Sequence, residues 1–163
     1  MKIFIDIGHP AHVHYFKNFI RIMTKKGHSF LVTARDKEMT HYLLQKEKIK
    51  YVNRGSGRNS LIGKFFYMIE ADYFIYKYAK KFNPDIFLGF ASFYTAQVSY
   101  LLNKPSIVLD DTENGLFQQL CYRPFADSIL SPSTFSKNFG EKHVNFNSYL
   151  ELSYLHPDYF SPN

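Results

Sequence analysis

Short apolar runs alternate with helix-period segments along the whole chain, and this alternation leaves few folds open. The runs fall at residues 2–7, 28–33, 49–53, 86–89, 106–110 and 126–130, with a further one at 142–149. They are strand-length, and most lack the polar–apolar alternation of a strand with one wet face. Runs of this kind form strands buried on both faces, as in a parallel sheet. Between them lie segments with apolar residues three and four apart, at 10–26, 37–47, 61–82, 93–103 and 116–122, and a brief one at 134–138. The expected fold class is α/β, a Rossmann-like parallel sheet flanked by helices and joined by right-handed crossovers. Strand one should be central, in the order three-two-one-four-five-six, which opens a crevice between strands one and four. The 163 residues suffice for one domain spanning 1–163. Residues 154–163, with two prolines and little periodicity, read as a tail or the start of an interdomain linker.

In a parallel sheet every strand ends on the same edge. Gly8-His9, Arg35, the loop 54–58, residues 90–92, the run 110–113 and Ser131 should therefore share one rim. The first turn is the most informative. Gly8 ends the first strand, Pro10 suits the first helical position, and His9, His12 and His14 cluster where turn becomes helix. His9 can donate to an anion or shuttle a proton, or it can simply cap the turn. His12 and His14 lie about 200° apart on a helix, and neither Cys nor another His–acid pair joins them, so no metal site is expected.

The run Asp110-Asp111-Thr112-Glu113, at the end of an apolar strand, is the best source of a general base, because partial burial raises a carboxyl pKa. The same acids suit a helix N-terminus, where one would serve as a cap. Asp36 is placed to cap the helix at 37–47. The loop Arg54-Gly-Ser-Gly-Arg58 offers phosphate or sugar contacts but lacks the Gly-Lys-Ser/Thr of a P-loop, and Gly8-His-Pro fails the dinucleotide fingerprint. No cofactor is expected.

The formal charge of +6 would favour anionic partners, but no recognition helix or stacking motif supports nucleic acid. A single cysteine, Cys121, excludes an internal disulfide and suits a reducing compartment. No apolar run approaches the ~20 residues of a membrane helix. A cytoplasmic protein is expected, with peripheral membrane association left open. In the helix at 61–82 the apolar positions 61, 62, 65, 66, 69, 73, 76 and 79 fit a core-facing stripe. Its Phe, Tyr and Lys content also suits a membrane surface, but a helix buried under the sheet is the simpler reading.

Several blocks carry a resemblance: Asp6-Ile-Gly-His-Pro-Ala-His-Val-His, Gly27-His, Thr33-Ala-Arg-Asp36, Pro84-Asp85, Asp110-Asp-Thr-Glu113 and Glu151-Leu-Ser-Tyr-Leu-His-Pro. Together they resemble an uncharacterised prokaryotic family, a domain of unknown function grouped with GT-B glycosyltransferases and UDP-N-acetylglucosamine 2-epimerases. The resemblance implies two Rossmann-like domains facing across a cleft, of which this chain is similar to the amino-terminal, acceptor-side half. It implies an enzyme acting on nucleotide-activated sugars in surface polysaccharide synthesis, needing no bound metal and inactive as a lone half. The partners implied are a nucleotide-sugar, a sugar acceptor, and a carboxyl-terminal domain or second chain. His9, Asp111 and Glu113 are its catalytic candidates, and Gly8, His12, Arg35, Arg58, Ser92 and Asn114 its substrate contacts. Glu113-Asn-Gly-Leu116 is similar to the Glu-Ala-Gly-Leu turn of the epimerases. Their acid after the Gly ending strand four is replaced here by Phe90-Ala-Ser92, which speaks against epimerisation. The alternative is a non-catalytic Rossmann-like binding or partner module.

Overall fold

The computed structural model describes residues 1–58 and 60–160 of the chain. Among them, seven strands form one all-parallel sheet: β1 (Lys2–Ile7), β2 (Ser29–Ala34), β3 (Val52–Asn53), β4 (Ile86–Phe90), β5 (Ser106–Leu109), β6 (Ser128–Pro132) and β7 (His143–Phe146). The order is β3-β2-β1-β4-β5-β6-β7, so the chain switches direction between β1 and β4 as the alternation requires, with β7 added at the far edge. The helices are α1 (Pro10–Lys25), α2 (Thr40–Lys46), α3 (Leu61–Phe82), α4 (Phe93–Leu101), α5 (Leu116–Tyr122) and α6 (Leu152–Leu155).

Successive side chains of β1 go to opposite layers. Ile3, Ile5 and Ile7 pack with Val13, Phe16 and Ile20 of α1 and Leu44 of α2. Phe4 packs with Phe87, with Ile75 and Ala79 of α3, and with Val98 of α4. Asp6 shares the face of Phe4, so a carboxylate is delivered beneath the start of α4. Beyond β4, Val108 and Ile129 meet Tyr122 of α5 and Phe139. The helix ends are set by local chemistry. His9 caps α1, with Pro10 following; Ser60 caps α3 by accepting from the Gly63 N–H; and Asn83, in the left-handed region at φ 51°, ends α3 before Pro84.

Several expectations need correction. Asp36 does not cap the second helix. Its N–H donates to the Gly55 carbonyl, Glu38 takes φ 49°, and α2 begins at Thr40 with no side-chain cap. Of 49–53, only Val52–Asn53 pairs with β2. Residues 134–138 form a loop, followed by a 3-10 turn at Gly140–Lys142. The stretch read as a tail or linker begins inside α6, which docks on α1 through the Asn18 amide donating to the Ser153 carbonyl at 2.8 Å. Residues 161–163 of that stretch, and Asn59 of the preceding-helix loop, lie outside the described residues.

The largest correction concerns α3, although its limits match expectation. Of the positions expected to face the core, Ile62, Phe65, Phe66, Ile69 and Tyr73 are exposed and Ala79 is buried, and it lies on the side of Gly63, Tyr67, Ala71 and Ile75, which are buried too (the side chain at 61 is outside the described set). A line spaced by four with three small residues lets the helix lie close to the sheet, and that line wins over the bulkier one.

Candidate active site at the carboxyl edge of the sheet

The strand ends surround a cleft of about 450 Å³ at the β1/β4 switch. Its floor is a buried ion pair. Arg54, at the end of β3, donates Nε to Asp6 Oδ1 at 2.8 Å and Nη2 to Oδ2 at 3.1 Å. Thr33 Oγ1 and Ser92 Oγ also donate to the Asp6 carboxylate, at 2.8 and 3.3 Å. The guanidinium bonds the Tyr67 hydroxyl and lies 4.7 Å from the Tyr94 ring centroid. Two charges this deep persist only because nearly every lone pair and N–H is matched. Asp6 and Arg54 act as a neutral, fixed base plate.

The β1–α1 turn forms one wall. His9 Nδ1 accepts from the Ala11 N–H at 3.2 Å, and His12 Nδ1 accepts from the Gly8 N–H at 3.3 Å. In each neutral ring the proton therefore sits on Nε2, leaving one donor. Burial, with Lys37 adding to it, lowers the His9 pKa; burial, then His9, Lys37 and Arg54, lowers His12 to about 3. Both rings are uncharged at neutral pH. Pro10 has no N–H, Ala11 donates to His9 Nδ1, and the His12 N–H goes to the His9 carbonyl. The first turn of α1 thus keeps no free backbone donor for a phosphate. His14 turns away onto Tyr154 of α6.

The β5–α5 turn forms the opposite wall. Asp110 is buried and accepts from the Thr112 N–H, Gln119 Nε2 and the Tyr122 hydroxyl at 2.9, 3.3 and 2.6 Å. It organises the turn. Asp111 lines the cleft half-buried, and burial raises its pKa. Tyr15, stacked on Phe90 with centroids 4.9 Å apart, stands between the walls. Glu113 is not in the cleft. Its carboxylate accepts from the Ser136 N–H at 2.9 Å on the exposed side of the turn, a bond that holds its pKa down. Asn114 is likewise exposed and outside the cleft. Once Asp110 clasps the Thr112 N–H, Glu113 and Asn114 are carried past the rim, and the chain returns to the cleft at Gly115 and Gln118.

At the third side, Arg35 lines both this cleft and an adjoining apolar cavity of about 520 Å³, where Tyr67, Tyr94, Phe65 and Phe117 meet. Its Nε is buried with no partner among the described residues. Gly57 makes room for it, since a Cβ there would lie 1.9 Å from Arg35 Nη2. Arg58 lines the second cavity but is paired to Glu70 at 2.7 Å. Ser92 caps α4 and reaches the first cleft beside Ala91, whose φ of 44° is left-handed. Ser131, expected on the same rim, is buried against His143 Nε2 at 2.6 Å. His143 Nδ1 accepts from the Phe139 N–H, so Nε2 donates to Ser131 and leaves that hydroxyl without a base.

The cleft therefore brings together Gly8, His9, His12, Arg35, Ser92 and Asp111. Glu113, Asn114 and Arg58 fall outside it. Sequence reasoning missed Asp6, Tyr15 and Tyr94, and it offered Arg54 as a phosphate or sugar contact where the structure pairs it with Asp6. A signal for that pair existed: a lone acid inside an apolar strand needs a cation, and Arg54 follows the strand next but one. Among the described residues, no three His, Cys, Asp or Glu side chains converge as metal ligands do.

Residues 1–149 match the family described as Protein of unknown function (DUF354). The chain belongs to that family. This DUF354 chain is 27% identical over 140 residues to Uncharacterized protein MJ0665 of Methanocaldococcus jannaschii, covering 85% of this chain and 40% of that protein. Acinetobacter baumannii MurG superposes with a TM-score of 0.73 at 15% identity, over 88% of this chain and 45% of that one. Neisseria meningitidis UDP-GlcNAc 2-epimerase bound to UDP-GlcNAc gives 0.69 at 15%, over 89% and 46%. At these identities the likeness is one of fold, the amino-terminal half of GT-B proteins. The DUF354 chain spans less than half the length of each of these three proteins.

Proposed function

We propose that this chain is the acceptor-side half of a two-domain enzyme acting on nucleotide-activated sugars, and that it does not turn over alone. The observation that carries the reading is the cleft itself: a rigid, neutral ion-pair floor, two neutral histidines each with one free donor, and a carboxyl of raised pKa, all at the topological switch point. Sugars are matched by such dense, uncharged donors and acceptors. The filled first turn of α1 leaves the diphosphate to the other half, which would follow the segment beginning near 154. The UDP-GlcNAc bound to one GT-B neighbour supports a nucleotide-sugar donor; surface polysaccharide is the proposed destination.

In this reading His9 Nε2–H and Ser92 orient the acceptor, and the Arg35 guanidinium holds an acceptor oxygen. Asp111 takes the proton of the attacking hydroxyl. The acceptor oxygen forms a bond to the sugar's anomeric carbon, the bond from that carbon to the diphosphate breaks, and the nucleoside diphosphate leaves with the electron pair. The base role passes from Glu113 to Asp111, because Glu113 is engaged outside the cleft. The β4–α4 turn offers Ala91 and Ser92 and no carboxylate, which favours transfer over epimerisation.

The test is turnover in a protein that joins this chain to a carboxyl-terminal half. His9→Ala and Asp111→Asn should each lower kcat by roughly 10²-fold or more, the scale of acid–base groups, and His14→Ala should leave it unchanged. Steady release of nucleoside diphosphate by this chain alone would overturn the proposal.

A further inference from the structure

α3 has two apolar faces. One, formed by Tyr67, Ala71, Ile75 and Ala79, packs on the sheet. The other, formed by Ile62, Phe65, Phe66, Ile69 and Tyr73, lies half a turn round the helix and is exposed, Ile62 at 73% and Tyr73 at 70%. Scattered exposed apolar side chains are ordinary, but a continuous line of five on one helix marks a contact surface. The line extends onto its neighbours. Phe65 and exposed Phe117 of α5 line one cavity, and Ile69 and Tyr73 meet exposed Leu101 of α4 in another.

The charges around this face are one-sided. Lys77 and Lys80 continue the same helical line beyond Tyr73, with the Lys80 ammonium 5.6 Å from the Tyr76 ring centroid. Lys64 borders the cavity beside Phe65. The acids of α3 do not answer them: Glu70 is tied to Arg58, and Asp72 is partly buried, its carboxyl pushed up to about 7 by that burial.

We propose that this face of α3 docks on an anionic phospholipid bilayer, with Ile62, Phe65, Phe66, Ile69 and Tyr73 at the headgroup–acyl boundary and Lys64, Lys77 and Lys80 on the lipid phosphates. Bulky apolar side chains flanked by lysines are what interfacial helices use, and each lysine near such a surface strengthens binding by about 5-fold. Charge decides against a second copy of the chain, which would bring lysines to this face and no free carboxylate from α3. Geometry limits what a carboxyl-terminal half could cover. The 22 residues of α3 extend about 33 Å away from the rim, so a domain seated over the cleft would reach Ile62, Phe65 and Phe66 in its first turns and leave Ile69, Tyr73, Lys77 and Lys80 bare. The inference uses no residue of the cleft and stands apart from the sugar chemistry.

The experiment is flotation of the chain with vesicles of phosphatidylglycerol and, separately, of phosphatidylcholine, alongside light scattering without lipid. Binding to phosphatidylglycerol should exceed binding to phosphatidylcholine by roughly 10-fold or more. The double variant Phe66→Glu/Ile69→Glu should lose about 10-fold or more of that binding. Lys77→Glu/Lys80→Glu should lose a similar factor on phosphatidylglycerol alone. All four side chains are exposed, and an unchanged melting temperature confirms that the variants fold. No vesicle binding, or equal binding by wild type and both variants, overturns the proposal. So does a dimer in light scattering that Phe66→Glu/Ile69→Glu disperses, which would give the face to a second copy.

Discussion

Asp6 and Arg54, 48 residues apart, are joined by two hydrogen bonds beneath the cleft, tying the interior strand β1 to the edge strand β3. Asp6 is 1% exposed and Arg54 6%. Removing one partner strands the other's charge in a place water does not reach. Asp6→Asn and Arg54→Met should each destabilise the fold by roughly 3–5 kcal/mol in denaturant titration, and the double variant by clearly less than their sum. Additive losses would mean that the pair is not coupled.

Gly57 and Arg35 give a prediction that separates binding from stability. In Gly57→Ala the new methyl occupies the Arg35 guanidinium's place, and that flexible end must swing out of the cleft. Sugar-acceptor affinity should fall while the melting temperature moves little. Gly140→Ala is the counterpart. With φ 75° and open space around it, it should cost about 1 kcal/mol of stability from backbone strain and leave binding intact. Equal affinity for wild type and Gly57→Ala would remove Arg35 from the site.

The histidines give the fold an acid-sensitive side. Unfolded His12 binds a proton below about pH 6.5, whereas the folded ring, buried under the turn, does so only near pH 3. Its contribution is complete above pH 6.5 and is lost as pH falls from 6.5 toward 3. His9 and His14 shift in the same direction. His12→Asn should flatten the fall in stability over that window, read from denaturation midpoints at a series of pH values. A slope unchanged from wild type would mean that His12 is not the buried, neutral group described.

Asp72 works in the opposite sense. Burial raises its folded pKa from 3.8 to about 7, and its Oδ1 has no partner among the described residues. The folded state favours the protonated acid, so its contribution is present below pH 3.8 and is lost as pH rises through 7. Asp72→Asn should therefore stabilise the chain more at pH 8 than at pH 5. The same gain at both values would place the carboxylate in water.

The sheet was legible because its cause is local. Strand-length apolar runs separated by helical periods allow little besides a parallel sheet, and the switch point follows from the order. The α3 face was not legible, because the helix carries two apolar lines. Which one turns inward depends on how closely Gly63, Ala71 and Ala79 let it approach the sheet, and that is a tertiary property. Within the site, the rim argument placed His9, Arg35, Ser92 and Asp111 in one cleft, since each closes or follows a strand. It misplaced Glu113, because the direction of a side chain within a turn depends on which backbone N–H the neighbouring acid clasps. Asp6 and Arg54 went unpaired because the partner of a buried charge lies far away in sequence.

The central claim is that the carboxyl-edge cleft receives a sugar. Backbone NMR of the isotope-labelled chain, titrated with acceptor monosaccharides and with UDP-GlcNAc, tests it most directly. The account predicts that the acceptor sugar shifts the amides of Gly8, His9, Arg35, Ser92 and Asp111, that His9→Ala and Asp111→Asn weaken those shifts, and that UDP-GlcNAc alone produces much smaller ones. Shifts confined to the amino edge of the sheet, or none at millimolar sugar, would contradict it.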